Sequence, residues 1–356
     1  MPKRVGYLYE RVISEENCIA AEKEMTRHKN KNRTAQRIRE DPDRHGKLLS
    51  ELLSSDRWEP TPYKEHKIYD GYRRKERTIK VPCLRDQAVH HAVMRVTVPY
   101  IERRNYFYNC GSIPGAGQTR AVKALRGWIG AKKPPKYAQQ LDIRKFYDTC
   151  PHSAVMAALR RIFKDERFLA IHEKILASMS SDGVGLAIGY YPSQWYANLV
   201  LQQVDNGLKR EFRSKIKFVR YMDNFGFVSN SKRTLHKARA LTEKLLLRIG
   251  LSIKRDWQVI RISICGFKYL SYRFFHGYTI LIKKLMYRMA RKIKQAAHNL
   301  NAKTAAAVMS YNGILKYCNS YNFRKRYLYQ IVSIKKCREA ISYENRIRRM
   351  SAAVQG

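Results

Sequence analysis

The sequence is poor in acidic residues, and its cysteines lack the spacing of a metal site or a disulfide framework. Asp and Glu number 29 against 71 Lys and Arg, which gives a formal net charge of +42. None of the seven cysteines forms a C-x-x-C pair, so we expect neither a zinc site nor a disulfide-rich secreted domain. No apolar run is long enough to span a bilayer, and no amphipathic anchor is visible. These absences predict a cytoplasmic protein that does not associate with membranes.

The excess of positive charge and the apolar content together define the broad class of the protein. A net charge of +42 predicts a polyanionic partner, for which nucleic acid is the simplest candidate. Hydrophobic residues make up 44% of the 356 residues, which is enough for subdomains with a real core. We therefore expect a folded nucleic-acid-binding protein rather than a disordered basic chain.

Acidic side chains stand at the ends of two apolar runs that are far apart in the sequence. Residues 218–228 contain two β-prone runs around Met222, Asp223 and Asn224, which predicts a β-hairpin with these residues at its turn. Asp142 ends another apolar run. Phosphoryl transfer by two divalent ions needs carboxylates that converge on metals about 3.5–4 Å apart. Neighbouring strands of one sheet would bring Asp142 and Asp223 together for this chemistry.

Three segments carry a resemblance to a known family. Residues 141–148, 188–194 and 218–228, in this order and spacing, resemble motifs A, B and C of the reverse transcriptase palm. Motif B begins Ile188-Gly189 and ends Ser193-Gln194, whereas most reverse transcriptases have Gln-Gly and Ser-Pro there. This form is similar to that of the reverse transcriptases of diversity-generating retroelements.

The resemblance implies an α+β fold, a right-hand polymerase with fingers, a palm of antiparallel sheet plus helices, and a helical thumb. It also implies the domain boundaries. We expect a basic helical N-terminal extension over 1–70, fingers over 71–136, a palm with motifs A to E over 137–280, which leaves room for a fingers insertion between 160 and 187, and a helical thumb with a basic C-terminus over 281–356.

By the same resemblance, Asp142 and Asp223 are the catalytic carboxylates and bind two Mg²⁺ ions, with Mn²⁺ as the alternative. The backbone carbonyl of Ile143 would complete one metal site. Asn224 stands where most members have a second Asp, so it keeps an oxygen acceptor but lacks the charge that holds a divalent ion strongly. We expect an active but slower enzyme.

The resemblance also implies a pocket for deoxynucleoside triphosphates. Tyr147 would exclude a 2′-hydroxyl, and Ile188 with Gly189 would form the floor of the pocket. Because Ile188 cannot hydrogen-bond, shape alone would discriminate between bases, by ~1–3 kcal/mol. The family is known for misincorporation opposite template adenines. The remaining predicted nucleotide contacts are Arg77, Ser193, Gln194 and Lys254.

Predicted nucleic-acid contacts lie in the fingers and in the thumb. Residues 110–120 form a Gly-rich loop in which Ala116 replaces the usual Arg or Lys, and Arg120 is the candidate substitute. The basic run 27–33 suits either an RNA-contact surface or a solvated helix face. The other predicted contacts are Lys80, Arg288, Arg291 and Lys292.

The leading hypothesis is an RNA-directed DNA polymerase that makes error-prone cDNA from the template RNA of a bacterial or phage retroelement. The resemblance further implies a small basic accessory protein as a partner. One alternative is an antiphage-defence reverse transcriptase, or another that is bound to a noncoding RNA. Another is a catalytically weakened RNA-binding relative, which Asn224 suggests.

Overall fold

The N-terminal part of the chain is a helical layer that packs on one long helix. The computed structural model describes residues 4–70 and 75–354. Side chains of Ser14, Asn32 and Asp41 accept hydrogen bonds from backbone amides and so begin three of the helices. The helices of this layer are α1 (Tyr9–Ile13), α2 (Glu15–Thr26), α3 (Arg33–Glu40), α4 (Pro42–Ser54) and α5 (Leu84–Glu102).

A β-hairpin stands between α4 and α5. Its strands, β1 (Lys64–Asp70) and β2 (Lys75–Val81), pair in antiparallel fashion with Arg77 opposite Ile68. The domain boundary expected at residue 70 falls inside this hairpin. β1 and β2 thus form one structural unit, because each strand satisfies the backbone hydrogen bonds of the other.

The central sheet is antiparallel and has the strand order β4-β5-β3-β6. The hairpin predicted at 218–228 is confirmed, since β4 and β5 are joined by a short turn at Met222 and Asp223. The elements of this part are α6 (Gly117–Ile129), β3 (Tyr137–Asp142), α7 (Phe146–Thr149), α8 (His152–Arg160), α9 (Glu166–Ala177), α10 (Tyr191–Phe212), β4 (Lys217–Tyr221), β5 (Asn224–Ser229), α11 (Lys232–Leu247), β6 (Val259–Arg261) and α12 (Ile262–Cys265).

A small three-stranded sheet connects the palm to a helical C-terminal part. The helix α14 begins with a capping box between Asn301 and Thr304. The elements are β7 (Phe267–Tyr269), β8 (Tyr272–Phe274), β9 (Thr279–Leu281), α13 (Lys283–His298), α14 (Ala302–Leu315), α15 (Tyr321–Phe323), a π-helical turn over Arg324–Tyr329, and α16 (Ile334–Val354).

Two hydrophobic cores cover the two faces of the central sheet. Phe225 and Phe227 point into the core shared with the N-terminal helices and α10, whereas Ala138 and Val228 point into the core shared with α6 and the thumb. This alternation follows from the two-residue period of a strand. The sheet is thus covered on both faces, so the ends of its strands are the parts that remain accessible. Among the described residues, no helix combines the length and apolarity needed to cross a membrane.

Candidate active site

The two predicted catalytic carboxylates come together at one end of the central sheet. Asp142 is the last residue of β3 and pairs with Asn224, the first residue of β5. Asp223 lies in the turn immediately before β5. The amide of Ile143 donates to the backbone carbonyl of Asp223 at 3.2 Å, which ties the end of β3 to this turn.

The two carboxylates influence each other electrostatically. Burial raises the pKa of the Asp223 carboxyl above its usual value, and the negative charge of Asp142 raises it further. A backbone hydrogen bond and the charges of Lys254 and Arg77 act in the opposite direction. The Lys254 ammonium lies 2.6 Å from Oδ1 of Asp142. This is an ion pair without an aligned hydrogen bond, because the same oxygen has no partner by hydrogen-bond geometry.

The residues at this end of the sheet fit a pair of hard divalent cations. Two half-buried carboxylates place their negative charges close together, which favours a positive ion between them. The side-chain oxygen of Asn224 is buried next to them without a hydrogen-bond partner. The described residues contain no group of three or more His, Cys, Asp or Glu suited to a metal. Further ligands would thus come from a backbone carbonyl such as that of Ile143, from substrate phosphates and from water, as Mg²⁺ commonly requires.

A buried ion pair beneath the catalytic turn was not predicted from the sequence. Arg220 in β4 and Asp205 in α10 have fully buried side chains. Nε and Nη2 of the arginine donate to both carboxylate oxygens at 2.7–3.0 Å. Its Nη1 donates to the side-chain oxygen of Asn198 and, at 2.9 Å, to the backbone carbonyl of Met222. The pair therefore fixes the turn that carries Asp223.

The loop before α6 closes the same turn from the other side. The Asn198 amide group donates to the carbonyl of Gly111 at 2.9 Å. The amide of Cys110 donates to the carbonyl of Arg220 at 2.7 Å. A Cβ at position 111 would lie 2.3 Å from the amide nitrogen of Met222, so only glycine allows this approach. The sequence signals for this arrangement were an arginine inside an apolar strand and an aspartate inside an apolar helical stretch.

Two of the predicted nucleotide-pocket residues, Tyr147 and Arg77, interact electrostatically with Asp223. Burial raises the pKa of Tyr147, and the nearby charge of Asp223 contributes, whereas Arg77 lowers it. Arg77 thus acts electrostatically on both residues from β2. The amide of Leu186 donates to the carbonyl of Tyr147 at 2.7 Å, which joins motif A to the segment before motif B.

The motif B segment lies directly against the fingers hairpin. The amide of Lys80 in β2 donates to the carbonyl of Ile188 at 2.8 Å. Gly189 has a φ of +113°, and a Cβ there would lie 2.3 Å from the carbonyl oxygen of Lys80. Ser193 is buried, and its hydroxyl donates to the carbonyl of Ala187 at 2.7 Å. The Ser193 hydroxyl thus stabilises the backbone of this segment, whereas Gln194 is exposed.

Two predicted nucleic-acid contacts, Lys80 and Arg120, donate hydrogen bonds to backbone carbonyls. The Lys80 ammonium donates to the carbonyl of Met179 at 2.9 Å. Arg120 donates to the carbonyls of Phe107 and Gly115, both at 3.3 Å, so it braces the Gly-rich loop. The thumb cations on α13 differ in accessibility. Arg291 and Lys292 are exposed, and Arg288 is half-buried.

A cleft of about 500 Å³ opens beside Asp142. It lies between the central sheet and the small sheet, and its walls include Gln140, Gln258, Lys268 and Arg273. The walls thus carry two carboxylates, Asp142 and Asp256, as well as two cations.

Comparison with known families and proteins agrees with this geometry. Residues 73–274, more than half of the chain, match the family described as reverse transcriptase (RNA-dependent DNA polymerase). Protein YkfC of Escherichia coli (strain K12) is 23% identical over 176 residues, which are 47% of this chain and 46% of that protein. The chain thus spans about half the length of this curated relative.

Solved telomerase structures share the fold. The apo telomerase of Candida tropicalis superposes with a TM-score of 0.50 at 13% identity, covering 80% of this chain and 65% of the telomerase chain. The telomerase of Candida albicans with a fragment of telomeric RNA gives a TM-score of 0.48 at 13% identity, over 81% of this chain and 60% of the other. The predicted α+β polymerase fold is confirmed. The chain belongs to the reverse transcriptase (RNA-dependent DNA polymerase) family.

Proposed function

We propose that the protein is an RNA-directed DNA polymerase that adds deoxynucleotides to a primer by two-metal phosphoryl transfer. The observation that carries this proposal is the meeting of Asp142 and Asp223 at the end of the sheet, where the charge of Asp142 raises the pKa of Asp223. Family membership supports the same reaction.

In this reaction the primer 3′-oxygen forms a bond to the α-phosphorus of the incoming nucleotide, and the bond to pyrophosphate breaks. Asp142, Asp223 and the Ile143 carbonyl would hold the divalent ions. Such ions activate the attacking hydroxyl and stabilise the charge that develops on the leaving phosphate. Arg77 is suited to grip the triphosphate through its guanidinium, and Lys254 supplies positive charge beside Asp142. Tyr147 would lie under the sugar.

Primer extension on a defined RNA template tests the proposal. Asp142→Asn and Asp223→Asn remove one charge each while keeping the size of the side chain. Each should abolish extension, whereas RNA binding persists because it depends on the cations elsewhere. Asp182→Asn is the matched control, since Asp182 is an exposed carboxylate in the turn before motif B. Extension by either active-site variant at the wild-type rate would refute the metal assignment.

We further propose that the cDNA is error-prone and that the protein serves a diversity-generating retroelement. The support is Ile188, a half-buried apolar residue directly before Gly189 at the predicted pocket floor. Template RNA, cDNA and a small basic accessory protein are the proposed partners. The competing hypothesis is an accurate polymerase with a defence role, in which Ile188 only packs beneath α10.

Sequencing of cDNA made on a defined template separates these hypotheses. Ile188→Gln restores an amide at nearly the same length. It should lower misincorporation opposite adenine and leave the copying of other bases largely unchanged. An unaltered adenine error rate in an active variant would favour the accurate polymerase.

A further inference from the structure

Lys80 contacts both ends of the segment that links α9 to α10. Its backbone amide donates to the carbonyl of Ile188 at 2.8 Å, at the predicted floor of the nucleotide pocket. Its ammonium donates to the carbonyl of Met179 at 2.9 Å, at the beginning of the same segment. One residue of the fingers therefore bridges the whole segment.

The ammonium occupies a favourable electrostatic position. Met179 lies two residues beyond the end of α9 (Glu166–Ala177), so the ammonium is near the C-terminal end of this helix, where the helix dipole is negative. The Lys80 ammonium also lies 4.3 Å from the ring centroid of Tyr63, within the range of a cation–π contact. The charge of Lys80 is thus directed into the protein.

At the pocket end, the contact leaves little room for movement. The carbonyl oxygen of Lys80 approaches Gly189 so closely that a Cβ there would lie 2.3 Å away. Ile79 contributes to the same wall, since one of its methyl groups would lie 2.7 Å from that Cβ. A displacement of β2 at Lys80 would therefore move Ile188 and Gly189 with it.

We propose that Lys80 is a positioning residue for nucleotide selection. By holding the segment at Met179 and at Ile188, it sets the height of the pocket floor relative to the end of the sheet. This inference rests on the proposed function in one respect, namely that Ile188 and Gly189 line the nucleotide pocket.

The test compares three variants of the full chain. Lys80→Met keeps the aliphatic stem and removes the charge, and Lys80→Arg restores a cationic donor. Lys64→Met is the matched control, because Lys64 is an exposed cation in the same hairpin. The KM for deoxynucleotides should rise about tenfold in Lys80→Met, since a hydrogen bond from a charged donor is lost. We expect kcat to change less than KM, Lys80→Arg to recover most of the loss, and Lys64→Met to match the wild type.

A second variant reaches the same contact without altering Lys80. Tyr63→Leu removes the aromatic ring beneath the ammonium and should raise the KM in the same direction by a smaller factor. A wild-type KM in both Lys80→Met and Tyr63→Leu would overturn the proposal.

Two measurements separate positioning from direct nucleic-acid binding. Hydrogen exchange within residues 178–190 should accelerate in Lys80→Met, while exchange in the central sheet stays unchanged. The salt dependence of RNA affinity should not change. If Lys80 contacted a phosphate, the slope would fall by about one and the KM for nucleotides would stay constant, which would overturn the inference. A wild-type protein without polymerase activity would refute the proposed function. The positioning of residues 178–190 by Lys80 could still be tested, because hydrogen exchange does not require catalysis.

Discussion

The catalytic turn and the motif B segment meet at the same site but are held in different ways. The turn at Asp223 is fixed from below by Arg220 and Asp205, whose side chains are fully buried. The motif B segment is held from the fingers by Lys80, whose side chain is half-buried. The turn that carries Asp223 is thus supported by fully buried groups, whereas the motif B segment depends on a contact with the β1–β2 hairpin.

Because of this difference, we expect the two regions to affect different properties, namely the stability of the fold and the selection of nucleotides. When a fully buried charge loses its partner, no water can take the place of that partner, so the folded state is destabilised. A half-buried ammonium that is lost leaves a carbonyl that water can reach. We therefore expect changes at the turn to act first on folding, and changes at the motif B segment to act first on nucleotide use.

The largest expected effect comes from breaking the buried pair. Arg220→Met leaves the Asp205 carboxylate uncompensated and should lower the free energy of unfolding by roughly 3–5 kcal/mol, measured by urea denaturation. The double variant Arg220→Met with Asp205→Leu should recover much of this loss, because no buried charge remains. A single-variant loss below about 1 kcal/mol would contradict the view that this pair fixes the palm.

The second effect is on catalysis. Gly189→Ala places a Cβ against the Lys80 carbonyl, so the pocket floor or β2 must shift, and a misplacement of about 1 Å can cost roughly 100-fold in rate. The value of kcat/KM for deoxynucleotides should fall by up to this factor. Gly183→Ala is the control, since Gly183 also has a positive φ but a Cβ there would meet no neighbouring atom within 4 Å. Equal losses in both variants would show that backbone strain alone is responsible.

The smallest effect concerns pH and the catalytic turn. The folded protein raises the pKa of Asp223 above 3.8, so the ionised carboxylate is less favourable in the fold than in the unfolded chain. The stability associated with this group is present below the unfolded pKa and is lost as the pH rises through the folded pKa. Asp223→Asn should therefore raise the Tm of the metal-free protein at pH 7, and the gain should shrink as the pH falls towards 4.

Added Mg²⁺ sharpens this last prediction. The wild type should gain more in Tm from Mg²⁺ than Asp223→Asn does, because a ligand that binds only the folded state stabilises it more at a given concentration when it binds more tightly. A lower Tm for Asp223→Asn than for the wild type, at pH 7 without metal, would contradict this prediction. It would show that nearby positive charges and hydrogen bonds outweigh the effect of burial on Asp223.

Local patterns in the sequence by itself placed Asp142 and Asp223 at the ends of strands, and the family resemblance implied the fold class. Asp142 and Asp223 each follow an apolar run of strand character, and strand pairing then brings the two run ends together. Local patterns sufficed because alternation and turn chemistry operate between near neighbours. The roles proposed for Arg77, Tyr147 and Ile188 came from the resemblance.

Only the tertiary structure decided how these groups are supported. Nothing in the local sequence states that Arg220 would pair with Asp205, or that the charge of Lys80 would be directed at Met179 rather than at a phosphate. The pairing of β1 with β2, across the predicted boundary at residue 70, was likewise seen only in the structure. Each outcome depends on which surfaces become buried together, because burial determines whether a cation faces water, a carboxylate or a carbonyl. That choice is made between segments distant in sequence, which is why the pattern of residues alone did not reveal it.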